Sequence, residues 1–192
     1  MSAVRQLAVG LLMVATVLPA PAAAQKEPRK VAEEFSAILT NISNVGAAGL
    51  TPVTIRITRW TPDDENDRLL KTLRDDGQDA FLRALLDVKS VGSIATPTSL
   101  RYDFFYAREM PADGAGRRIM LISDRPMRIS ERLGGGPGRD YPFTVIELRL
   151  DNEGNGDGTL AQMVQLRLVG NFLGIENLAN SPMKLNQVKK VK

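Results

Sequence analysis

The sequence predicts an α+β fold, mainly antiparallel β, in which a curved meander sheet or barrel of about eight strands carries one helical segment inserted early. Three observations lead to this prediction. Apolar and polar residues alternate in several short segments, a helical spacing of apolar residues occurs once, and short turns join the strand-like segments of the second half. Strands joined by short turns favour a meander, and a long sheet tends to curl or close.

The first two strand candidates lie on either side of a glycine-containing loop at residues 46–49. The first spans residues 35–44, and the second starts at Pro52, after which Val53, Ile55 and Ile57 alternate with threonine and arginine. A period of two with β-branched residues indicates a strand with one buried face. We therefore expect the isoleucine face to lie in the core.

The helical segment begins at Thr61-Pro62, which is followed by acidic residues. We expect Thr61 to cap the helix and Pro62 to occupy its first position, while the acids oppose the positive end of the helix dipole. Apolar residues then follow helical spacing up to Leu85, interrupted near Gly77. The pattern predicts one helix with a flaw or two short helices joined at Gly77.

The rest of the chain is typical of antiparallel strands. Candidates lie at 91–95, at 102–109 with Tyr102, Phe104 and Tyr106 on one face, and at 117–123. The clearest unit is a long hairpin in which 144–151 and 160–169 are joined across a turn at 152–158. Two weaker strands at 172–178 and 183–191 complete the sheet.

The N-terminus has the pattern of an export signal. One positive charge precedes an apolar run of about 12 residues, two prolines and the small-residue site Ala22-Ala23-Ala24. A membrane span needs roughly 20 apolar residues, so we expect cleavage before Gln25 rather than an anchor. The predicted organisation is a signal peptide at 1–24, a mobile leader at 25–34 and a single domain at 35–192. We expect the mature protein to be periplasmic or secreted, with no membrane span.

The sequence contains no cysteine and no histidine. These absences exclude disulfides, thiolate nucleophiles, Ser-His-Asp triads and metal sites that depend on cysteine or histidine. No basic stripe interleaved with aromatics occurs, so a nucleic-acid partner is not expected. The composition therefore favours a protein without catalysis, although chemistry based on carboxylates remains open.

One loop resembles part of a calcium site. Asp151, Glu153 and Asn155 alternate before Gly156, with Asp157 following, as in the first half of an EF-hand loop. The twelfth position is Gln162 rather than a bidentate glutamate, and strands flank the loop. The preferred interpretation is a polar hairpin turn, with calcium at these four residues as the alternative and no other cofactor predicted.

Aromatic and arginine residues suggest two further alternatives. Trp60, Tyr102, Phe104 and Tyr106, with Arg59 beside them, either pack in the core or line an apolar ligand pocket. Several arginines on or beside strand candidates either form cross-strand ion pairs or surround an anion-binding mouth: Arg56, Arg59, Arg101, Arg108, Arg117 and Arg118.

Three segments resemble a set of small exported bacterial proteins of uncharacterised function. They are Thr58-Arg59-Trp60-Thr61, Ser123-Asp124-Arg125-Pro126 and the run from Asp140 to Glu147, read as DYPFTVIE. The resemblance covers the chain from about Pro52 onward and leaves residues 35–49 outside. It implies export and a single domain, and it implies no activity, ligand or site residue.

The function predicted from the sequence is that of an exported soluble protein acting as a non-catalytic binding or interaction module. Its partner would be a small ligand or an envelope protein. A carboxylate-based hydrolase and a structural envelope protein are the alternatives. Two carboxylates converging in an open groove would favour the hydrolase, whereas acids confined to turns would disfavour it.

Overall fold

The described residues form ten antiparallel strands in one sheet and a single helix, which confirms the predicted fold class. A computed structural model describes residues 31–41, 49–98, 101–110, 112, 116–124, 141–178 and 181–192. The predicted signal peptide and the glycine-rich segment 134–138 lie outside these ranges. The strands are β1 (Glu33–Asn41), β2 (Gly49–Ile57), β3 (Gly92–Ala95), β4 (Tyr102–Phe104), β5 (Tyr106–Met110), β6 (Arg117–Ser123), β7 (Phe143–Leu150), β8 (Asn155–Val169), β9 (Phe172–Leu178) and β10 (Met183–Lys190), and the helix is α1 (Asp63–Leu86).

The sheet is nearly closed into a barrel. Its strand order is β4-β3-β2-β1-β10-β8-β7-β6-β5, with β9 paired to β8 outside this series. The two strands at the ends of the series, β4 and β5, are separated in sequence only by Phe105, whose backbone N–H donates to Ile122 O at 2.9 Å. One bent segment of chain therefore lies at both edges of the sheet and brings them together.

The interior of the barrel is filled by apolar side chains. The predicted inward face of β2, formed by Val53, Ile55 and Ile57, is buried there, and Ile146 and Leu148 of β7 are also enclosed. These placements confirm the period-two interpretation of both strands, because inward residues alternate with outward ones.

A second apolar layer lies between α1 and the outer face of the barrel. Leu69, Phe81 and Leu85 of the helix pack in the same cluster as Met120 and Val145 of β6 and β7. Strands β6 and β7 thus bury apolar side chains on both faces where α1 covers them. The interruption predicted at Gly77 is confirmed as a kink, since Gly77 has φ 79° and ψ −171° inside the helix.

The predicted cap at Thr61 is wrong. Pro62 is the N-cap residue, and no side chain caps the helix. The buried Thr61 hydroxyl oxygen instead accepts a hydrogen bond from the Ala107 backbone N–H at 2.9 Å, while the Thr61 N–H donates to Ala107 O at 2.9 Å. Thr61 therefore joins the start of the helix to β5.

Three other predicted boundaries shift. Glu33 and Glu34 belong to β1, so the strand begins inside the segment predicted as a leader at 25–34. The turn of the β7–β8 hairpin is residues 151–154 rather than 152–158, because β8 already starts at Asn155. Residues 102–109 form two strands rather than one because the chain bends at Phe105.

Strand β8 extends well beyond its partner β7. Its last residue paired with β7 is Val164, and from there it pairs with β9 instead. We call residues Val164–Leu178 the β8–β9 arm. The arm is attached to the kinked part of α1, where the Leu166 N–H donates to Gln78 Oε1 at 3.0 Å. Met163, with φ 55°, marks the irregular backbone where the arm leaves the hairpin.

Candidate functional site

The structure distributes the aromatic candidates between two apolar layers. Phe104 is fully buried in the barrel interior, and Trp60 and Tyr102 pack against that cluster. Tyr106 lies in the outer layer beneath α1. The predicted common face of Tyr102, Phe104 and Tyr106 is therefore wrong beyond Phe104, because the bend at Phe105 reverses the alternation.

Tyr106 and Arg59 are engaged in contacts that support the fold. The Tyr106 hydroxyl donates to Asn66 Oδ1 at 2.9 Å, and burial raises the pKa of Tyr106 to about 12. The Arg59 guanidinium binds both carboxylate oxygens of Glu65, at 3.1 and 3.3 Å, and donates to Lys89 O at 2.8 Å. Tyr106 connects β5 to α1, and Arg59 connects the end of β2 to α1 and to the segment that follows it. The two side chains do not face a common pocket.

The acidic loop forms a compact hairpin turn. Asp151 Oδ1 accepts from the backbone N–H groups of Glu153 and Asn155, both at 2.9 Å, and the Asp151 N–H donates to Asn155 O at 2.8 Å. Asp157 lies beyond the turn, paired with Arg149 in the β7–β8 ladder. Within the described ranges no three acidic side chains are arranged to hold a metal ion.

Calcium is expected to leave the stability of the protein unchanged. The Asp151 carboxylate is already used in the turn, and Gln162 offers no bidentate ligand. A thermal melt in millimolar calcium should therefore match one in chelator. A rise in melting temperature of several degrees that disappears in the double variant Asp151→Ala, Asp157→Ala would contradict this expectation, since ligand binding stabilises the native state by mass action.

Most of the strand arginines form ion pairs. Arg56 pairs with Glu34 at 2.8 Å, and Arg108 pairs with Asp63 at 2.7 Å. Arg117 contacts Glu109 at 2.7 Å and Glu33. The Arg56–Glu34 and Arg117–Glu109 pairs join neighbouring strands, as the cross-strand interpretation predicts, whereas Asp63 belongs to α1 and Glu33 to a strand that is not adjacent to β6. Arg118 differs from them, because its Nε is buried without a hydrogen-bond partner among the described residues.

Glu33 lies in a charge cluster that joins β1, β6 and β10. Its carboxylate contacts Arg117 and, at 3.3 Å, Lys190 Nζ. Burial alone would raise the pKa of Glu33, but hydrogen bonding to Arg117 and the positive charges of Arg117 and Lys190 outweigh it and hold the pKa below its ordinary value of 4.5.

Glu33→Gln is therefore expected to lower stability most above pH 4.5. A depressed folded-state pKa contributes stability above the unfolded-state value and loses it as the pH falls through the folded-state value. Urea melts from pH 7 down to pH 2 should show the gap in unfolding free energy between wild type and Glu33→Gln narrowing below about pH 4.5. A gap that stays constant or widens on acidification would show that the cluster does not favour the charged form of Glu33.

A cleft of about 340 Å³ separates the β8–β9 arm from the outer face of the barrel. This volume falls within the range of about 300 to 1,000 Å³ common for ligand sites. Strands β5, β6 and β7 contribute four lining residues and the arm contributes six: Met110, Arg118, Met120 and Glu147, and Arg167, Val169, Phe172, Leu173, Gly174 and Ile175.

Two arginines and one glutamate accompany the apolar lining of the cleft. Arg118 Nε is buried without a hydrogen-bond partner among the described residues and lies 3.6 Å from Glu147 Oε1. Glu147 Oε1 instead accepts from Arg149 Nε at 3.0 Å. Arg167 is exposed, and within the described part of the chain it forms no ion pair.

Only part of this cleft could be predicted from the sequence. Arg118 belonged to the group of arginines considered for an anion-binding mouth, but no pattern linked it to the arm. The arm arises from the extra length of β8 beyond Val164, which local periodicity does not reveal. Met110 and Met120 look like ordinary core residues until the second apolar layer is seen.

Comparison with known proteins gives no match. No family model matches the chain, and the searches of curated proteins and of solved structures find no match either. Within the described ranges, no helix has the length and apolar character to cross a membrane. The role of the cleft is therefore inferred from its own residues.

Proposed function

We propose that the protein is an exported, non-catalytic binding module and that its site is the cleft between the β8–β9 arm and the barrel. The observation that carries the proposal is the lining of this cleft, which combines apolar side chains with a few charged groups. Ligand sites typically have this composition, with apolar groups supplying affinity and polar groups fixing orientation.

The position of the cleft supports a binding role. Its floor belongs to β5–β7, which are held between the filled barrel interior and the outer apolar layer. Its other wall is the arm, which is attached to α1 through Leu166 and Gln78. A site on rigid elements keeps its shape before the ligand arrives, which lowers the ordering cost of binding.

The placement of the carboxylates favours binding over the hydrolase alternative. Glu33, Glu65 and Glu147 are well shielded, with side-chain exposures of 12%, 18% and 19%, and each is in an ion pair. Among the residues that line the cleft, Glu147 is the one carboxylate. Acid–base hydrolysis of the glycosidase type uses two carboxyl groups across the scissile bond.

Export is the other half of the proposal and rests on the N-terminal sequence. The short apolar run and the Ala22-Ala23-Ala24 site support cleavage before Gln25. N-terminal sequencing of protein recovered from outside the cytoplasm tests this part. A recovered chain that still begins at Met1 would contradict it.

Native mass spectrometry of the mature protein, purified from its own host, tests the binding role. We expect a retained small molecule with the wild type and none with Val169→Trp, because Val169 lines the cleft and is 50% exposed, which leaves room for a larger side chain. Leu50→Trp is the matched control, because Leu50 is also an exposed apolar strand residue, at 74%, and lies away from the cleft. Equal retention by both variants would place the ligand elsewhere, and a wild type without any bound molecule would argue against a small-molecule role.

A further inference from the structure

We infer that the cleft binds an amphipathic anion, a molecule with an unbranched apolar chain and a carboxylate or similar anionic head. This inference rests on the proposed function and names the class of ligand for the same site. Three properties of the cleft support it: the type of its apolar groups, the balance of its charges and its size.

The apolar part of the cleft suits a flexible chain. Met110 and Met120 lie on the barrel side, and Phe172, Leu173 and Ile175 lie on the arm. Methionine side chains are unbranched and adapt to irregular shapes, and they are common at binding surfaces that accept flexible apolar ligands. The side chains of these five residues carry no strong hydrogen-bond donor, so they offer apolar contact to such a chain.

The charged part of the cleft favours an anion. Arg118 and Arg167 line it together with a single acidic residue, Glu147. Glu147 is shared between Arg118 at 3.6 Å and Arg149 at 3.0 Å, so it does not fully neutralise either of them. The lining therefore carries an excess positive charge, and arginine is well suited to bind a carboxylate through paired N–H groups.

The volume of the cleft suits a chain of moderate length. A volume of 340 Å³ corresponds to about eleven groups of the size of water, at about 30 Å³ each. A saturated carboxylate with about ten carbons has a comparable number of heavy atoms. Decanoate is therefore a suitable probe, and decanol and decyltrimethylammonium are its neutral and cationic counterparts with the same chain length.

Isothermal titration of the mature protein, stripped of any bound molecule, with these three probes tests the inference. We expect decanoate to bind at least about tenfold more tightly than decanol, since a hydrogen-bonded charge pair supplies that difference, and decyltrimethylammonium to bind most weakly. Arg167→Gln should lower the affinity for decanoate by about tenfold and leave the affinity for decanol unchanged. Arg118→Gln should act in the same direction, and because Arg167 is exposed, its variant keeps the test valid if Arg118→Gln folds poorly. Arg68→Gln, at an exposed arginine of α1, is the control and should leave all three affinities unchanged.

The outcomes separate this inference from the proposed function. Equal binding of decanoate and decanol, with no effect of the arginine variants, would overturn the anionic class and leave the cleft as a binding site. Suppose that none of the three probes binds, although the wild type retains a native molecule that Val169→Trp loses. That result would also overturn this inference and leave the proposed function standing. Binding of anionic vesicles without binding of free decanoate would assign the arginines to a membrane surface and overturn it too. Probe binding that is insensitive to Val169→Trp would contradict the proposed site itself.

Discussion

Ile55→Asp is expected to destabilise the protein by about 3 to 5 kcal/mol or to prevent its folding. Ile55 is fully buried in the barrel interior, where it pairs with Phe35 of β1 and Ile94 of β3. An aspartate there either carries an unpaired charge or takes up a proton, and both cost free energy in an apolar layer. Chemical unfolding at pH 7 measures the effect.

The adjacent position provides the matched control for this substitution. Thr54 is the next residue of β2, is partly exposed and lies outside the interior cluster. Thr54→Asp should therefore lower the free energy of unfolding much less than Ile55→Asp does. If the two variants unfold at the same denaturant concentration, or if Ile55→Asp unfolds with the wild type, the inward register of β2 would be wrong.

Gly156→Ala is expected to destabilise the protein by about 3 kcal/mol, near the upper end for an overpacked site. A Cβ atom at Gly156 would lie 1.9 Å from Arg149 O and 2.9 Å from Arg149 C, both in the backbone of the paired strand. Because Gly156 pairs with β7 on one side and with β10 on the other, the hairpin cannot move away without disturbing a second strand.

Gly49→Ala is the control for this prediction. A Cβ atom at Gly49 would have no neighbour within 4 Å, so the substitution should be neutral or slightly stabilising, because alanine restricts the unfolded chain. A Gly156→Ala variant as stable as Gly49→Ala would show that the two hairpin strands are further apart at this point. The sequence suggested that Gly156 serves a turn or a calcium loop, whereas the structure places it inside β8.

Elements whose cause is local could be predicted from the sequence. The alternation in β2 and β7 and the kink at Gly77 each arise from a few neighbouring residues, and the structure confirms them. The predictions of a shared face for Tyr106 and of a capping role for Thr61 were wrong because the partners of these segments are distant in sequence. The Phe105 N–H donates to Ile122 O, and the Thr61 hydroxyl oxygen accepts from the Ala107 N–H. No local sequence pattern indicates either contact.

The candidate site depends even more on distant contacts. Arg118 and Arg167 belong to different strands and meet at one cleft only because β8 continues past Val164 and its arm packs beside α1. Their residue types were visible in the sequence, but their proximity was not. The aromatic residues first considered as pocket residues were locally prominent, and three of the four belong to the barrel interior or pack against it.

The pairing of β1 with β10 determines when the barrel is able to form. Asn186 Nδ2 donates to Thr40 Oγ1 at 2.8 Å across a separation of 146 residues, so β1 is synthesised first and acquires this neighbour last. Until β10 emerges, one edge of β1 is a row of unsatisfied backbone groups, the kind of edge that pairs with other chains. Such non-local pairing slows folding. Under the proposed export, this late closure keeps the chain unfolded for passage through a narrow translocation channel, while the unpaired edge of β1 makes the waiting chain prone to aggregate.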